Sequence, residues 1–174
     1  MATFLVEDGT GYSNTNSYLE IVDADEIISN YGNSALWLAA TDDAKETALR
    51  QATRYLDLHY LWSGYKVAQD QALQWPRYEM YDEDGWLVDY TVIPNRLKEA
   101  CAYLAIKVID GNTLLEDFVN NSKVKRTKDV IGPITEEREY IVGESPDTTY
   151  QVVDKLVYSF VYGDDSGVVD LERA

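Results

Sequence analysis

Apolar residues recur at intervals of three and four positions in four stretches of the chain, which is the spacing of one face of an α-helix. The first stretch covers residues 22–31 and ends before Gly32, a residue type that commonly terminates helices. The second follows Thr41, which suits a helix N-cap, and continues to about Tyr60. This pattern predicts two helices in the first third of the chain.

A third helix is predicted to open at Pro94, a residue type that suits the first helical turn, and to close at Gly111. A short helical piece is predicted over residues 114–119, and a fourth main helix over residues 147–162. The positions predicted to face the core are Ala24, Ile27, Ile28, Tyr31, Ala48, Leu49, Ala52, Tyr55, Leu56, His59, Leu97, Ala100, Cys101, Leu104, Ala105, Val108, Val152, Val153, Leu156, Val157, Phe160 and Val161.

Helical periodicity disappears over residues 61–93, where aromatic residues accumulate among Pro and Gly. The aromatic residues in question are Trp62, Tyr65, Trp75, Tyr78, Tyr81, Trp86 and Tyr90. A loop of this length without regular structure is uncommon in a compact domain unless it is functional. We therefore expect this aromatic loop to pack against the body or to meet a neighbouring protein.

A β-hairpin ribbon is predicted over residues 123–142, because Gly-Pro at residues 132–133 suits a two-residue turn between two β-prone runs. That register sets Lys128 opposite Glu137, and such opposite-charge pairs contribute roughly 0.2–1 kcal/mol each. The first arm carries four positive charges within six residues, at Lys123, Lys125, Arg126 and Lys128. The same register sets Arg126 opposite Glu139, so the returning arm can neutralise much of this charge.

The two ends complete the predicted architecture. Residues 1–16 contain turn and loop chemistry and are predicted to form an extended N-terminal arm, while residues 163–174 form a polar tail. The sequence thus predicts a mainly α fold in a single domain. We expect a small helical bundle of three to four main helices, spanning residues 17–122 and 147–162, with a β-hairpin ribbon and extended N- and C-terminal arms.

The net charge limits the classes of partner. The 174 residues carry a formal charge of −16, so the molecule as a whole should repel a nucleic-acid backbone. A single cysteine, Cys101, excludes an internal disulfide and a cysteine-based zinc cluster. The start resembles no signal peptide and no apolar run approaches the roughly 20 residues that span a bilayer. We expect a protein made in the cytosol without a membrane partner.

Candidate catalytic chemistry is sparse. His59 is the only histidine, and its place on a predicted helix face favours a core-edge or helix-cap role. The acidic string at residues 82–85 resembles part of a calcium loop, but that alignment puts Met80 and Thr91 where carboxylates are required. Cys101 lies on an apolar stripe and is interpreted as a buried small hydrophobe. We predict no catalytic, cofactor-binding or metal-binding residue and no enzyme activity.

The aromatic residues have two interpretations. They could stack bases, as in single-strand binders, but stacking sites come with a basic groove and the aromatic loop is acidic. Tyr and Trp are also the anchors that protein interfaces favour, and this interpretation is preferred here. The residues predicted to contact a partner are Lys123, Lys125, Arg126, Lys128, Tyr140, Trp75, Arg77 and Trp86.

Several strings, in order along most of the chain, resemble one protein family. They are residues 6–11 (VEDGTG), 16–18 (NSY), 48–57 (ALRQATRYLD), 71–77 (QALQWPR), 93–94 (IP) leading to 98–100 (KEA), 123–126 (KVKR) and 132–134 (GPI). The chain resembles the head-to-tail connector, or adaptor, proteins of tailed bacteriophages, including a group labelled DnaT-like single-strand DNA-binding proteins.

The resemblance implies a structural protein of the virion that acts in head completion. Such a protein docks as a ring, commonly of twelve copies, beneath the portal protein and offers its other side to a tail or stopper protein. It would be assembled in the host bacterial cytoplasm and sit at the head–tail junction, where packaged DNA passes without specific binding. The alternative is a single-stranded DNA-binding module with Lys123, Lys125, Arg126 and Lys128 on phosphates.

Overall fold

The computed structural model describes residues 3–32, 34–115, 127–131, 134–138 and 150–162. The chain divides into two compact units. The first, called the body here, comprises Met1–Leu115 and Gln151–Ala174, and the second comprises Glu116–Tyr150.

In the part of the body that the structure describes, five α-helices form the framework. They are α1 (Ile21–Asn30), α2 (Ala35–Ala39), α3 (Asp42–His59), α4 (Asn95–Ile109) and α5 (Gln151–Val157), which continues into a 3-10 turn at Tyr158–Phe160. The mainly α prediction is confirmed, and the main predicted helices are all present. As predicted, the Thr41 side chain caps α3 by accepting a hydrogen bond from the Ala44 N–H, while Gly111 follows α4 with a positive φ of 90°.

The core lies between α3 and α4, and α4 also contacts α1, α2 and α5. The two central helices meet through a mixture of small and large apolar residues, all of them fully buried: Ala48, Leu49, Ala52 and Leu56 on α3, and Leu97, Ala100, Cys101 and Leu104 on α4. Small side chains let the helix axes approach, and the leucines then fill the space beside them. This packing explains why the apolar periodicity of these two segments is so regular.

Some predicted core positions are wrong, because they lie at helix ends where the chain leaves the core. Tyr31, just after α1, is 69% exposed, and Val152 at the start of α5 is 47% exposed. His59, the last residue of α3, is exposed and stacks on Tyr55 with ring centroids 4.8 Å apart.

The short helix α2 was not predicted. It is one turn long and exposes Leu36 and Leu38, so no helical periodicity marks it.

The aromatic loop contains short strands, contrary to the prediction that it lacks regular structure. β1 (Tyr65–Lys66) pairs antiparallel with β2 (Arg77–Tyr78), and Trp62 pairs with Val161 after α5. Strands of two residues are too short to leave an alternating pattern in the sequence. The loop therefore packs onto the body through backbone pairing as well as through side chains.

The second unit contains the predicted hairpin. β3 (Thr127–Ile131) pairs antiparallel with β4 (Ile134–Arg138), and Ile131 opposite Ile134 leaves the two predicted turn residues between them. Lys128 pairs with Glu137, which confirms the predicted register. Arg126 and Glu139 lie outside the described residues, as do residues 116–119 of the short predicted helix, residues 147–149 and the tail. Leu114 and Leu115 form a bend.

The predicted N-terminal arm is tied to the body. The Glu7 N–H donates to the Ser17 carbonyl at 2.8 Å, and Val6 forms a parallel bridge with Ser17.

Over the part of the chain that the structure describes, none of the helices has the length and apolarity to cross a bilayer.

Two leucines on α3 test where the core lies. Leu56 is fully buried, whereas Leu58 is 64% exposed. We expect Leu56→Ala to lower the free energy of unfolding by about 2–5 kcal/mol, through lost transfer energy and the cavity left behind. Leu58→Ala is the matched control and should change it by less than about 0.5 kcal/mol. Urea denaturation followed by circular dichroism measures both; equal effects would contradict the described orientation of α3.

Candidate interaction surface

The carboxylate of Glu7 organises the N-terminal arm. It is almost fully buried and accepts hydrogen bonds from the N–H of Gly9 at 3.0 Å, the N–H of Gly11 at 2.8 Å and the hydroxyl of Thr15 at 3.0 Å. A buried carboxylate needs such donors, because burial without them is costly. The acidic residue of the first family-like string therefore fixes the loop that carries it.

A second buried network joins the arm, α3 and the aromatic loop. The Tyr18 hydroxyl donates a short hydrogen bond to Asp57 and accepts from the N–H groups of Gln74 at 3.1 Å and Trp75 at 3.2 Å. The second oxygen of Asp57 accepts from the Gln74 N–H at 3.1 Å. Burial raises the pKa of Asp57 to about 6 and also raises the pKa of Tyr18.

Arg77 is a structural centre of the aromatic loop. Its guanidinium donates to the backbone carbonyls of Ser63 at 2.6 Å, Gly64 at 2.9 Å and Gln74 at 3.1 Å, and also contacts that of Trp62. The rigid fork of five N–H donors suits this simultaneous binding of several carbonyls. Burial lowers the pKa of Arg77, although it remains a cation.

The predicted partner residues of the loop fall into two different places. Trp75 is fully buried, with its ring against those of Trp62 at 5.7 Å and Phe160 at 5.3 Å. Arg77 is buried as well, so both predicted anchors serve contacts within the body. Trp86, by contrast, is 73% exposed. Sequence alone does not separate these tryptophans, since the difference comes from distant contacts.

The predicted residues of the ribbon are largely outside the description. Lys123, Lys125, Arg126 and Tyr140 lie outside the described residues, and Lys128 is described only through its backbone pairing with Glu137. Their predicted contacts with a partner remain predictions.

Trp86 belongs to a cluster of exposed rings and aliphatic side chains, called the aromatic knob here, which comprises Tyr78, Tyr81, Trp86, Leu87 and Tyr90. Tyr81 and Leu87 form an antiparallel bridge, so residues 81–87 make a tight turn with Trp86 and Leu87 at its end. The rings of Tyr78 and Tyr90 lie 4.5 Å apart between centroids. The knob thus contains two described contacts within one loop, the Tyr81–Leu87 bridge and the Tyr78–Tyr90 ring pair.

Sequence reasoning missed a second apolar surface. Leu58, Leu61, Tyr158 and Tyr162 are all more than 60% exposed. Leu58, Leu61 and Tyr162 line a cleft of about 350 Å³, together with Asp57, Tyr60, Trp62 and Gln74. The signal available in the sequence was two leucines, Leu58 near the end of the second predicted helix and Leu61 just after it, neither of which belongs to its apolar stripe.

The electrostatic character of the described body is acidic. Residues 3–115 and 150–162 contain nine Lys and Arg residues against nineteen Asp and Glu residues. Four of these cations pair with acids of the same body: Lys45 with Asp25, Arg50 with Glu46, Arg96 with Glu83 and Lys98 with Asp23. A further one, Arg77, is buried on backbone carbonyls. These cations are therefore already used within the chain.

The calcium-like string and Cys101, two chemical candidates of the sequence, both have structural surroundings. Within the described ranges, no group of three or more His, Cys, Asp or Glu side chains is placed to hold a metal ion. Asp82 of the calcium-like string accepts hydrogen bonds from the N–H groups of Asp84 at 3.0 Å and Trp86 at 2.8 Å, so it shapes the turn. Burial raises the pKa of the Cys101 thiol to about 12, which disfavours the reactive thiolate.

Comparison with known proteins gives one match. The model of the family described as "Putative DnaT-like ssDNA binding protein" matches residues 2–174. No curated protein matches the chain, and no solved structure matches it.

Two glycines test the docking of the N-terminal arm. Gly9 and Gly85 both have positive φ, at 107° and 80°, so alanine strains the backbone at either position. A Cβ at Gly9 would also overlap the Thr91 carbonyl, whereas a Cβ at Gly85 meets nothing within 4 Å. We expect Gly85→Ala to cost about 1 kcal/mol and Gly9→Ala at least about 2 kcal/mol more. Thermal denaturation decides; similar losses would contradict the close approach at Thr91.

Asp57 generates a prediction on pH. Its pKa is raised from 3.8 to about 6 on folding, so between these values the folded state binds more protons than the unfolded state. The stability from this group is therefore fully present at low pH and is lost as the pH rises through about 6. We expect a loss of about 1–3 kcal/mol between pH 4 and pH 7.

The measurement is the urea-unfolding free energy across this pH range for the wild type and Asp57→Asn. The variant should be less stable overall, because an amide N–H₂ would face donor groups, but it should lack this pH slope. Subtracting the two curves removes the contribution of the remaining acids. Parallel curves would show that Asp57 does not titrate in this window.

Proposed function

The chain belongs to the family described as "Putative DnaT-like ssDNA binding protein", and we propose that it is a structural assembly protein, namely a head-to-tail adaptor of a tailed bacteriophage. The observation that carries the proposal is the exposure of large apolar side chains on an acidic body. Trp86, Leu87, Leu61 and Tyr158 are each more than 60% exposed. Large exposed apolar side chains of this kind are common where a protein surface binds another protein.

The place in the virion comes from the resemblance to phage connectors. In this role the protein forms a ring, of twelve copies by that resemblance, between the portal protein and a tail or stopper protein. The acidic body supports passage of DNA without tight binding, because phosphate contacts require available Lys and Arg side chains. Repulsion between acidic copies keeps the isolated protein monomeric until the portal nucleates the ring.

A second candidate function is single-stranded DNA binding. The family description favours it, and the stretch of Lys123, Lys125, Arg126 and Lys128 supplies four positive charges in six residues. In this role those side chains contact phosphates, and exposed aromatic rings stack on bases. The acidity of the body weighs against it.

Two probes separate these candidates: the portal protein of the virus that encodes the chain, and a single-stranded thymidine oligonucleotide of about 30 residues. For the adaptor we expect saturable binding to the portal and little binding to the oligonucleotide even at low salt. The single-strand module instead requires oligonucleotide binding that weakens steeply as salt rises. Biolayer interferometry measures both interactions.

Reversing Lys123, Lys125, Arg126 and Lys128 to Glu sharpens the comparison. The variant should lose oligonucleotide binding if the second candidate is right. Circular dichroism is the control that its helical body is intact. Binding to the oligonucleotide but not to the portal would overturn the adaptor proposal.

A further inference from the structure

The turn that presents Trp86 is fixed by its own hydrogen bonds. The Asp82 N–H donates to the Trp86 carbonyl at 3.0 Å, and the Val88 N–H donates to the Met80 carbonyl at 2.8 Å. The Asp82 carboxylate closes the turn by accepting from the N–H groups of Asp84 and Trp86. A preformed turn loses little conformational entropy on binding, so an exposed side chain that it carries is well suited to anchor a partner.

The base of the aromatic knob is joined to the body. Met80 is fully buried beneath it, and Glu83 forms an ion pair with Arg96 at the start of α4. Gly9 of the N-terminal arm lies close against the carbonyl of Thr91, which follows Tyr90 of the knob. These contacts hold the knob on the body while its outer side chains stay exposed.

The outer side chains have the composition of a binding anchor. Trp86 and Leu87 are adjacent and are 73% and 64% exposed, with Tyr81 beside them at 53%. Trp and Tyr dominate the residues whose truncation weakens protein complexes most. The other three tryptophans, Trp37, Trp62 and Trp75, are buried. Trp86 thus stands apart as the tryptophan available to a partner.

The negative charge of the segment that carries the knob limits the class of partner that can bind it. Residues 78–92 contain five acids, Glu79, Asp82, Glu83, Asp84 and Asp89, and no Lys, Arg or His. A nucleic-acid backbone is repelled by this set, and so is the acidic body of another copy of the chain. Complementarity instead favours a different protein whose contact surface carries positive charge.

We propose that the aromatic knob inserts Trp86 and Leu87 into an apolar pocket of a different protein, and that Lys or Arg side chains line the rim of that pocket. This inference rests on the proposed function, which supplies the portal protein and the tail-side protein as the two probes. It assigns the contact to residues 78–92 and gives the chemistry of the partner surface.

Hydroxyl-radical footprinting with mass spectrometry tests the contact directly. The protein is oxidised alone, with the portal protein, with the tail-side protein, with a single-stranded thymidine oligonucleotide, and over a range of its own concentrations. We expect Trp86 and Tyr81 to be protected by one of the two proteins. Tyr12, which is exposed on the N-terminal arm, is the internal control for general loss of labelling.

Substitutions test how much Trp86 contributes to the binding affinity and whether the acidic residues of the knob segment contribute to it. Trp86→Ala should weaken binding to the protecting protein by about tenfold or more, since buried tryptophans act as hot spots. Tyr31→Ala, which removes a similarly exposed ring outside both the knob and the cleft, is the matched control. Asp84→Asn should weaken binding several-fold and reduce its salt dependence, whereas Asp70→Asn, an exposed acid outside the knob, should not.

The outcomes separate this inference from the proposed function. Binding of either protein without protection of Trp86, or with unchanged affinity of Trp86→Ala, overturns the knob inference and leaves the adaptor function standing. Protection of Trp86 by rising protein concentration or by the oligonucleotide overturns it by showing a different occupant. Failure of the wild type to bind either protein overturns both.

Discussion

The hydrogen bond between Tyr18 and Asp57 is the constraint on which the rest of the body depends. It joins the segment after the N-terminal arm to the last turn of α3. The Tyr18 hydroxyl also accepts hydrogen bonds from the backbone N–H groups of Gln74 and Trp75, and Asp57 accepts one from Gln74. Three parts of the chain that are distant in sequence are thereby held at one point. A buried polar network of this kind is stable only while each member keeps its partners, so it specifies one arrangement of the loop.

Arg77 extends this constraint to the rest of the aromatic loop. Its guanidinium binds carbonyls at both Gln74 and the segment of Trp62 to Gly64, so the two sides of the loop are held together. β2, which contains Arg77, leads directly into the aromatic knob. The segment that carries Trp86 therefore starts from a residue that is fixed by buried contacts.

The sequence predicts those parts of the fold that depend on local pattern. The stripes around Leu49 and Leu104 mark α3 and α4, and the two-residue turn sets Lys128 opposite Glu137. The candidate site is less accessible to such reasoning, because Trp75 and Trp86 both lie in a loop without helical periodicity that could separate a buried ring from an exposed one. Their burial differs through contacts with residues far along the chain, such as Phe160 for Trp75. Such long-range contacts cannot be predicted from the local periodicity of the sequence.

The family description names single-stranded DNA binding, whereas the described body is acidic. The disagreement is clearest at the body's cations. The cations of Lys45, Arg50, Arg96 and Lys98 already pair with acids, so phosphate binding there would exchange one ion pair for another and expose unpaired carboxylates. Burial of the exposed apolar side chains requires no such exchange, and their release from water is favourable by itself. Five of the nine Lys and Arg residues of the described body are thus engaged within the chain, counting Arg77, whereas the basic stretch at residues 123–128 carries four positive charges in six residues. The charge of the described body therefore favours a protein partner for its exposed apolar side chains over a nucleic acid.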